Sequence, residues 1–217
     1  MKVSADHPVQ DATRNQLLEA AGEVFAEVGF RNATVRAICQ RAGANVAAIN
    51  YHFGDKETLY VEVLRYAHGK ALDKYPLLLD VTEAAAPEKK LQAFIHSLLL
   101  RIFEKGSQSW HGRLMSREMI EPTAALDALI EERIRPTHSA LAQIISEILK
   151  CPPTDARVVS CVFSVLSQCV FYNHCRPAIA KLFPNLLPHD AASIEKLAAQ
   201  ITRFSLAAMR ELSTDKK

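Results

Sequence analysis

Glycine and long apolar runs are both scarce in this sequence. Only seven of the 217 residues are glycine, which argues against long flexible segments. No run of 18 apolar residues occurs, so we expect no transmembrane helix. Residues 1–12 are polar and lack the apolar core of a signal peptide. These absences favour a cytoplasmic protein without a membrane partner.

The cysteines lack the spacing of a metal site or a disulfide framework. Their number is odd and no Cys-x-x-Cys pair occurs, so we expect free thiols in a reducing compartment. Cys169 and Cys175 do not share a helix face, and His174 points away from its neighbour Cys175. We therefore predict no metal site and no cofactor. The cysteines are Cys39, Cys151, Cys161, Cys169 and Cys175.

Catalytic motifs are missing as well. The sequence contains no nucleophile elbow, phosphate-binding loop, His-Glu-x-x-His motif or paired-carboxylate arrangement, which argues against an enzyme. The non-catalytic functions that then remain include a helical adaptor that binds another protein and a small-molecule-binding protein. We interpret four acids of the middle region as a solvated helical face: Glu118, Glu121, Glu131 and Glu132.

Apolar residues at helical spacing are abundant, and no alternating strand pattern occurs, so we predict an all-α fold. Thr13 and Gln16 match a capping box at the start of the first helix, which Gly29 is expected to stop. Pro136 is expected to kink a helix that begins near Pro122. The predicted organisation is a flexible tail (1–12), an amino-terminal domain (13–60), a carboxy-terminal domain (61–212) and a second tail (213–217).

Two short predicted helices are joined by a three-residue turn. Thr34 caps the first of them and Asn45 caps the second, which runs to about Phe53. The turn is Ala42-Gly43-Ala44, and a glycine in a turn of this length is typical of the helix-turn-helix. Such a turn leaves the second helix at the surface, where it can enter a major groove. Residues 13–60 are therefore predicted to form a DNA-binding domain.

The second helix of this motif has one face suited to base contact. Ile49 and Phe53 are four residues apart and should face the core. Ala and Val side chains can touch thymine methyl groups, and Asn can bind adenine. Tyr51 and His52 can donate to phosphates. The outward residues are predicted to be Asn45, Val46, Ala47, Asn50 and Tyr51.

Positive charge is concentrated locally rather than over the whole chain. The chain carries a net charge of +2, and residues 1–56 are neutral. From residue 31 to 56, four cations oppose the single acid Asp55, which places positive charge where phosphate contact is needed. Lys56 lies in the first turn of a helix capped by Asp55, where a cation is unfavourable unless an anion binds there. Lys56, Thr34 and Arg36 are therefore predicted to contact the DNA backbone. For Lys56 the alternative is a solvated lysine with a small energetic penalty.

The residues of this region resemble a family motif. Thr34-Val35-Arg36-Ala37-Ile38, Ala42-Gly43 and the run from Asn50 to Leu59 are similar to the TetR family of bacterial repressors. Asn50 and Asn45 stand where many relatives carry tyrosine and serine. The resemblance implies a dimer that binds an inverted-repeat operator, with an effector pocket in a carboxy-terminal helical bundle. It also implies that a small-molecule effector changes the spacing of the two DNA-binding heads.

Further residues are similar to the CecR-type branch of that family, and two carboxy-terminal helices then become candidates for dimerisation. The helix that begins near Thr154 is apolar nearly all round, and the last helix carries one long apolar stripe. The alternative is that both helices pack only in the core of the monomer. The branch similarity rests on Arg135-Pro136, Ser167-Gln168-Cys169 to Tyr172 and Arg176-Pro177. The predicted interface residues are Val162, Leu166, Val170, Ile201, Phe204 and Ala208.

Aromatic and polar side chains of the carboxy-terminal half are the candidates for the effector pocket that the resemblance implies. Trp110 and His111 fall in a Gly- and Ser-containing connection, where a pocket mouth could form. For each side chain, ordinary packing or solvent exposure is the alternative. The candidates are Phe103, Trp110, His111, Met115, His138, Phe171, Tyr172 and His174.

Overall fold

The computed structural model describes residues 7–103 and 110–214, and every regular element within these ranges is a helix. The all-α prediction is therefore confirmed. The helices are α1 (His7–Asn32), α2 (Val35–Ala42), α3 (Val46–Phe53), α4 (Lys56–Lys74), α5 (Pro87–Phe103), α6 (Trp110–Ile120), α7 (Ala125–Leu129), α8 (Arg135–Leu149), α9 (Ala156–His174), α10 (Arg176–Leu182) and α11 (Ala191–Thr214).

The described residues form two compact units. The amino-terminal unit contains residues 7–70 and 110–133, and the carboxy-terminal unit contains residues 71–103 and 134–214. Helix α6 therefore belongs with the helix-turn-helix, although it lies beyond residue 60 in the sequence. The reason is that α6 packs against α1.

Helix α1 begins at His7, earlier than the capping-box pattern at Thr13 indicates. Residues 7–12 are helical rather than part of a tail. Pro8 suits the first turn of a helix, because an N–H at that position has no intrahelical acceptor. Gln16 has a different role from the predicted cap: its Nε2 donates to the Ala42 carbonyl at 2.9 Å. Gly29, with φ of 79°, interrupts the helix near its end, as predicted.

Trp110 is a core residue of the amino-terminal unit, not part of a connection. It begins α6 and is 6% exposed. Its indole packs on Gly22, where an added β-carbon would lie 2.3 Å from Cζ3 of the ring. Its Nε1 donates to Oε2 of Glu19 at 2.9 Å. Helix α6 therefore docks on α1 by packing the large Trp110 ring where Gly22 has no side chain. The same core includes the buried Leu17, Phe25, Ile38, Ile49 and Leu59.

Glu118 corrects the prediction of a solvated acidic face, because its side chain is fully buried. Its carboxylate accepts hydrogen bonds from the Tyr60 hydroxyl at 2.7 Å, the Thr123 amide at 2.8 Å and the Thr123 hydroxyl at 3.0 Å. A buried carboxylate requires such compensation. These bonds link α4 to the end of α6. The other three acids, Glu121, Glu131 and Glu132, are exposed as predicted.

The predicted kink near Pro136 takes the form of a π-helical turn over Ile130–Ile134. Helix α8 then begins at Arg135, with the proline in its first turn. Pro122 precedes α7 rather than starting it. At the next helix, Asp155 and not Thr154 is the cap: its Oδ1 accepts from the Arg157 amide at 2.9 Å.

Helices α5, α8, α9 and α11 enclose the core of the carboxy-terminal unit. By length and apolar content alone, α9 is one helix of the described residues that could cross a membrane. In the described structure one face of α9 packs into this core, and core helices share that composition. The buried residues of this face are Val158, Cys161, Val162, Val165 and Cys169.

Candidate nucleic-acid interface

The turn between α2 and α3 is held by a cap at each helix start. Oγ1 of Thr34 accepts from the Ala37 amide at 3.1 Å, and Oδ1 of Asn45 accepts from the Ala48 amide at 2.9 Å. Gly43 adopts φ of 59°, in the left-handed region that favours glycine, and ends α2. The two predicted caps and the glycine turn are confirmed, with α2 one residue longer than expected.

Helix α3 has one buried and one exposed face, as predicted. Ile49 is fully buried and Phe53 is 5% exposed. The Arg14 guanidinium lies 5.4 Å from the centroid of the Phe53 ring and forms an ion pair with Glu62. This contact attaches α3 to α1 and α4. The exposed residues are Asn45, Val46, Ala47, Asn50 and Tyr51.

The two asparagines of this face differ in what their amides already bind. The Asn45 oxygen is occupied by the cap on Ala48. The cap directs the Asn45 oxygen towards the backbone of α3, whereas its NH₂ group has no partner among the described residues. Within the described part of the chain the Asn50 amide has no hydrogen-bond partner, so both its donor and its acceptor face outward.

The local positive charge is smaller than the sequence count indicates. Arg41 forms ion pairs with Glu23 at 3.0 Å and Glu27 at 2.9 Å, and these carboxylates raise its pKa. Arg41 therefore secures α2 to α1 instead of adding free charge. Arg36 is exposed and, among the described residues, forms no ion pair. It is the cation of α2 that remains available for a phosphate.

Lys56 also has intramolecular partners. This corrects the argument that a cation in the first turn of α4 is unfavourable unless an anion binds there. Its Nζ donates to the carbonyls of Phe30 at 3.1 Å and Ala33 at 3.2 Å, and lies 4.5 Å from the Phe30 ring centroid. These carbonyls follow the break at Gly29, where unpaired carbonyls carry partial negative charge. The cation in the first turn of α4 is thus stabilised by the end of α1, without an added anion.

The remaining predicted phosphate contacts lie at the surface. Thr34 is exposed, and its oxygen accepts the cap while its hydroxyl hydrogen has no acceptor in the described part of the chain. Tyr51 is 73% exposed. His52 is half-buried, with its ring 5.0 Å from that of Tyr51 and 6.0 Å from that of Phe53.

The predicted pocket residues are divided between the two units, and two of them are core residues. Trp110 and Phe103 are buried in their own units, where ordinary packing, the alternative to ligand contact, accounts for both side chains. His111 stacks on Trp110 with the ring centroids 3.8 Å apart, and burial lowers its pKa. Phe171 and His174 are exposed. The others, Met115, His138 and Tyr172, are half-buried.

The predicted interface residues also separate by burial. Val162 and Ile201 are buried in the core of the carboxy-terminal unit, so neither can form part of a contact surface. Leu166 and Val170 are half-buried, whereas Phe204 and Ala208 are exposed. The sequence pattern missed the largest exposed apolar residues of α9, which are Phe163 and Phe171, at 60% and 56% exposed.

Two family models match the chain. Residues 17–63 match the model described as bacterial regulatory proteins of the tetR family. Residues 87–209 match the carboxy-terminal domain of the HTH-type transcriptional dual regulator CecR. The first match covers α2 and α3, and the second covers α5 to α10 and most of α11.

Individual relatives agree with these models. The chain is 31% identical to the dual regulator CecR of Shigella flexneri, over 69% of this chain and 70% of that one. It is 24% identical to the transcriptional repressor NicS of Pseudomonas putida, over 93% of each chain. A TetR-like transcriptional regulator from Rhodococcus sp. RHA1 has the same fold, with a TM-score of 0.63 at 16% identity over 90% of this chain and 96% of that one. The chain belongs to the TetR family of bacterial transcriptional regulators, in the branch with the CecR-type carboxy-terminal domain.

Proposed function

We propose that the exposed face of α3 binds the major groove of an operator and that this contact represses transcription. The observation that carries the proposal is the composition of that face. Val46 and Ala47 are small enough for the backbone to approach the groove, and Asn50 presents a free amide for a base edge. Donors to the flanking phosphates would be Thr34, Arg36, Asn45, Tyr51 and His52.

Repression is favoured over activation by one relative, which is named a repressor. The more similar relative over its matched region is named a dual regulator, which supports activation as the second candidate. A reporter gene behind the chain's own upstream region separates the two. Deletion of the regulator raises expression if it represses and lowers expression if it activates.

We propose that the protein acts as a homodimer through α9 and α11. Exposed aromatic side chains are costly on a monomer surface, and here they lie on two helices that pack against each other. Phe204 of α11 is 68% exposed and Phe163 of α9 is 60% exposed. The exposed Ser160 and Ser164 allow a second helix to approach α9 closely. A two-fold dimer would bind an inverted repeat.

We further propose that a small molecule bound in the carboxy-terminal unit controls DNA binding. The family assignment and the CecR-type domain support this proposal. An effector can shift affinity for DNA only if it binds the DNA-competent and DNA-free arrangements with different affinities. Release from DNA on addition of the effector is the expected behaviour of a repressor.

Selection of bound duplexes from a random pool tests the DNA-binding proposal. We expect an inverted-repeat site whose gel shift weakens with salt, because phosphate contacts release counterions. Ala47→Glu places a negative charge on the exposed face of α3 and should abolish the shift. The control, Ala178→Glu, changes an exposed alanine of α10 and should retain it.

Two results would contradict the proposal. One is a folded wild-type protein that shifts no selected duplex at low salt. The other is equal binding by the Ala47→Glu and Ala178→Glu variants. Either result would favour the alternative of a helical adaptor or a small-molecule-binding protein without DNA contact.

A further inference from the structure

The carboxy-terminal unit contains a cation that no acid among residues 71–103 and 134–214 neutralises. Arg101 lies near the end of α5, and its Nη2 is buried without a hydrogen-bond partner in the described part of the chain. Its Nε donates to the Ser97 carbonyl at 3.3 Å, one turn earlier. A guanidinium presents a planar fork of five donors, so one arm of this fork is left unused.

Lys90 of the same helix is a buried cation that is paired with an acid. Lys90 is 5% exposed and forms an ion pair with Glu147 of α8. Arg157 of α9 is only half-buried and is also paired, with Asp155 at 2.9 Å. Arg101 lacks such a carboxylate among the described residues, although an unpaired buried charge costs more than a paired one.

The thiol of Cys169, a titratable neighbour of Arg101, does not supply the missing negative charge. Burial lowers the Arg101 pKa to about 10, so the guanidinium is still charged at pH 7. The titratable neighbour that opposes this shift is Cys169 of α9. Burial raises the pKa of the Cys169 thiol to about 12, so that thiol is neutral at pH 7. Within the described part of the carboxy-terminal unit, the positive charge of Arg101 therefore remains uncompensated.

A second donor lies one turn along α9. Tyr172 follows Cys169 by three residues and so shares its helix face. Its ring packs against the apolar core, and its hydroxyl has no hydrogen-bond partner within the described ranges. The neighbours of Arg101 on α5, Leu100 and Ile102, also pack against that core. Because Cys169 interacts with Arg101 and Tyr172 shares its helix face, we infer that the free hydroxyl lies on the side of α9 that neighbours Arg101, among apolar side chains.

We propose that Arg101 binds the carboxylate of a small organic acid, with the Tyr172 hydroxyl as a second donor, and that this acid is the effector. The inference rests on the proposed ligand response and adds the chemical class of the ligand. A guanidinium fork matches a carboxylate with two parallel hydrogen bonds. One cation in an apolar setting favours a monoanion over a phosphate dianion, because the second charge would be buried without a partner. The apolar walls favour a ligand with a hydrocarbon body.

Thermal unfolding with matched acid and amide pairs tests the charge requirement. The probes are hexanoate, octanoate, benzoate and phenylacetate, each beside its neutral primary amide. We expect at least one acid, well above its Kd, to raise Tm by about 5 °C, and its amide to have little effect. Tyr172→Phe should weaken the response to that acid roughly tenfold in apparent affinity, as one hydrogen bond is lost.

The unliganded protein offers an independent readout. Arg101→Met keeps the length of the side chain and removes the unpaired charge, so it should raise Tm by a few degrees and abolish the response to acids. Lys90→Met is the matched control, because it removes a paired cation and leaves Glu147 alone. This control should lower Tm and keep the response to acids.

The proposal is overturned if no acid of the panel raises Tm more than its amide does. It is also overturned if acids still raise the Tm of the Arg101→Met variant. A fall in Tm for Arg101→Met as large as that for Lys90→Met would also contradict it. These outcomes are distinct from a failure of DNA binding. If the protein shifts no duplex but Arg101 still selects acids over amides, the proposed regulation fails and the acid site stands. If the protein binds DNA normally and no acid changes its Tm, the proposal of an acid site is wrong while the DNA-binding proposal stands.

Discussion

Arg36 and Lys56 belong to the same cationic stretch, but they differ in whether the protein itself supplies a partner for the positive charge. Arg36 is exposed and, in the described structure, unpaired, whereas Lys56 donates to two carbonyls at the end of α1. We expect Arg36→Ala to weaken binding to all duplexes and to lower the salt dependence by about one unit. Gel shifts over a range of salt concentrations measure this slope.

Lys56→Met should act mainly on stability. The loss of two charge-assisted hydrogen bonds should cost about 1–3 kcal/mol of unfolding free energy, with a smaller change in the salt slope than for Arg36→Ala. Urea unfolding gives the first quantity and the gel-shift series gives the second. Wild-type stability together with a salt dependence lowered by a full unit would instead support the phosphate contact that the sequence predicts.

Asn50 and Asn45 allow a matched comparison of base contact. Asn50→Ala should change the preferred operator and reduce discrimination at one base pair by about 1–3 kcal/mol. Asn45→Ala removes a cap and should lower stability by about 1 kcal/mol, while base preference is retained. Sequencing of selected duplexes for both variants decides. An unchanged profile for Asn50→Ala would mean that its amide faces only the backbone of the DNA.

These residues show how far the sequence reaches into the candidate site. Ile49 and Phe53 could be assigned to the core, and Thr34 and Asn45 to caps, because spacing within one helix determines both. The partners of Lys56 and Arg41 could not be predicted, since they lie 14 to 26 residues away and meet only after α1 packs on α2 and α4. A local charge count therefore overestimates the cations available to DNA.

At the scale of the element, α6 shows how a helix joins a unit that its sequence position does not suggest. Trp110 packs on Gly22, and His111 stacks on Trp110 with Nε2 buried and, among described residues, unpartnered. Burial disfavours the charged imidazole and lowers the His111 pKa below 6.5 in the folded state. Protonation of this ring is therefore coupled to the docking of α6.

The sign of the resulting pH dependence follows from this shift. Between the folded pKa and 6.5 the unfolded chain binds more protons, so His111 contributes stability above pH 6.5 that is lost as pH falls. We expect His111→Phe, which can still stack on Trp110, to lose less stability between pH 7.5 and 5 than the wild type. Urea midpoints at the two pH values measure the difference. Equal losses in both proteins would indicate that His111 titrates normally when folded.

Helix α9 shows why an all-round apolar pattern is ambiguous. Its core face and its outer face both carry large apolar residues, so periodicity does not say which residues face the monomer core. Val162 and Phe163 are neighbours in sequence, yet the first is buried and the second is 60% exposed. Only the positions of α5, α8 and α11 separate them. The sequence predicted that α9 serves two surfaces but could not divide its residues between them.

At the scale of the whole molecule, the exposed aromatics of α9 and α11 determine the proposed assembly. Because a two-fold interface brings the same patch from both copies together, one substitution introduces two charges into it. Phe163→Glu and Phe204→Glu should therefore each convert a dimer into a monomer at micromolar concentration, which sedimentation velocity measures. Operator affinity should fall by several orders of magnitude, because a single head contacts only half of an inverted repeat.

Ile120→Glu provides the control for this assembly, since Ile120 is 66% exposed but belongs to the amino-terminal unit. That variant should remain dimeric and bind the operator with wild-type affinity. Helix content by circular dichroism should be unchanged in all three variants, because each replaced side chain is exposed. A wild-type protein that sediments as a monomer, or a Phe163→Glu protein that remains dimeric, would contradict the interface. The exposed aromatics would then require a partner other than a second copy of the chain.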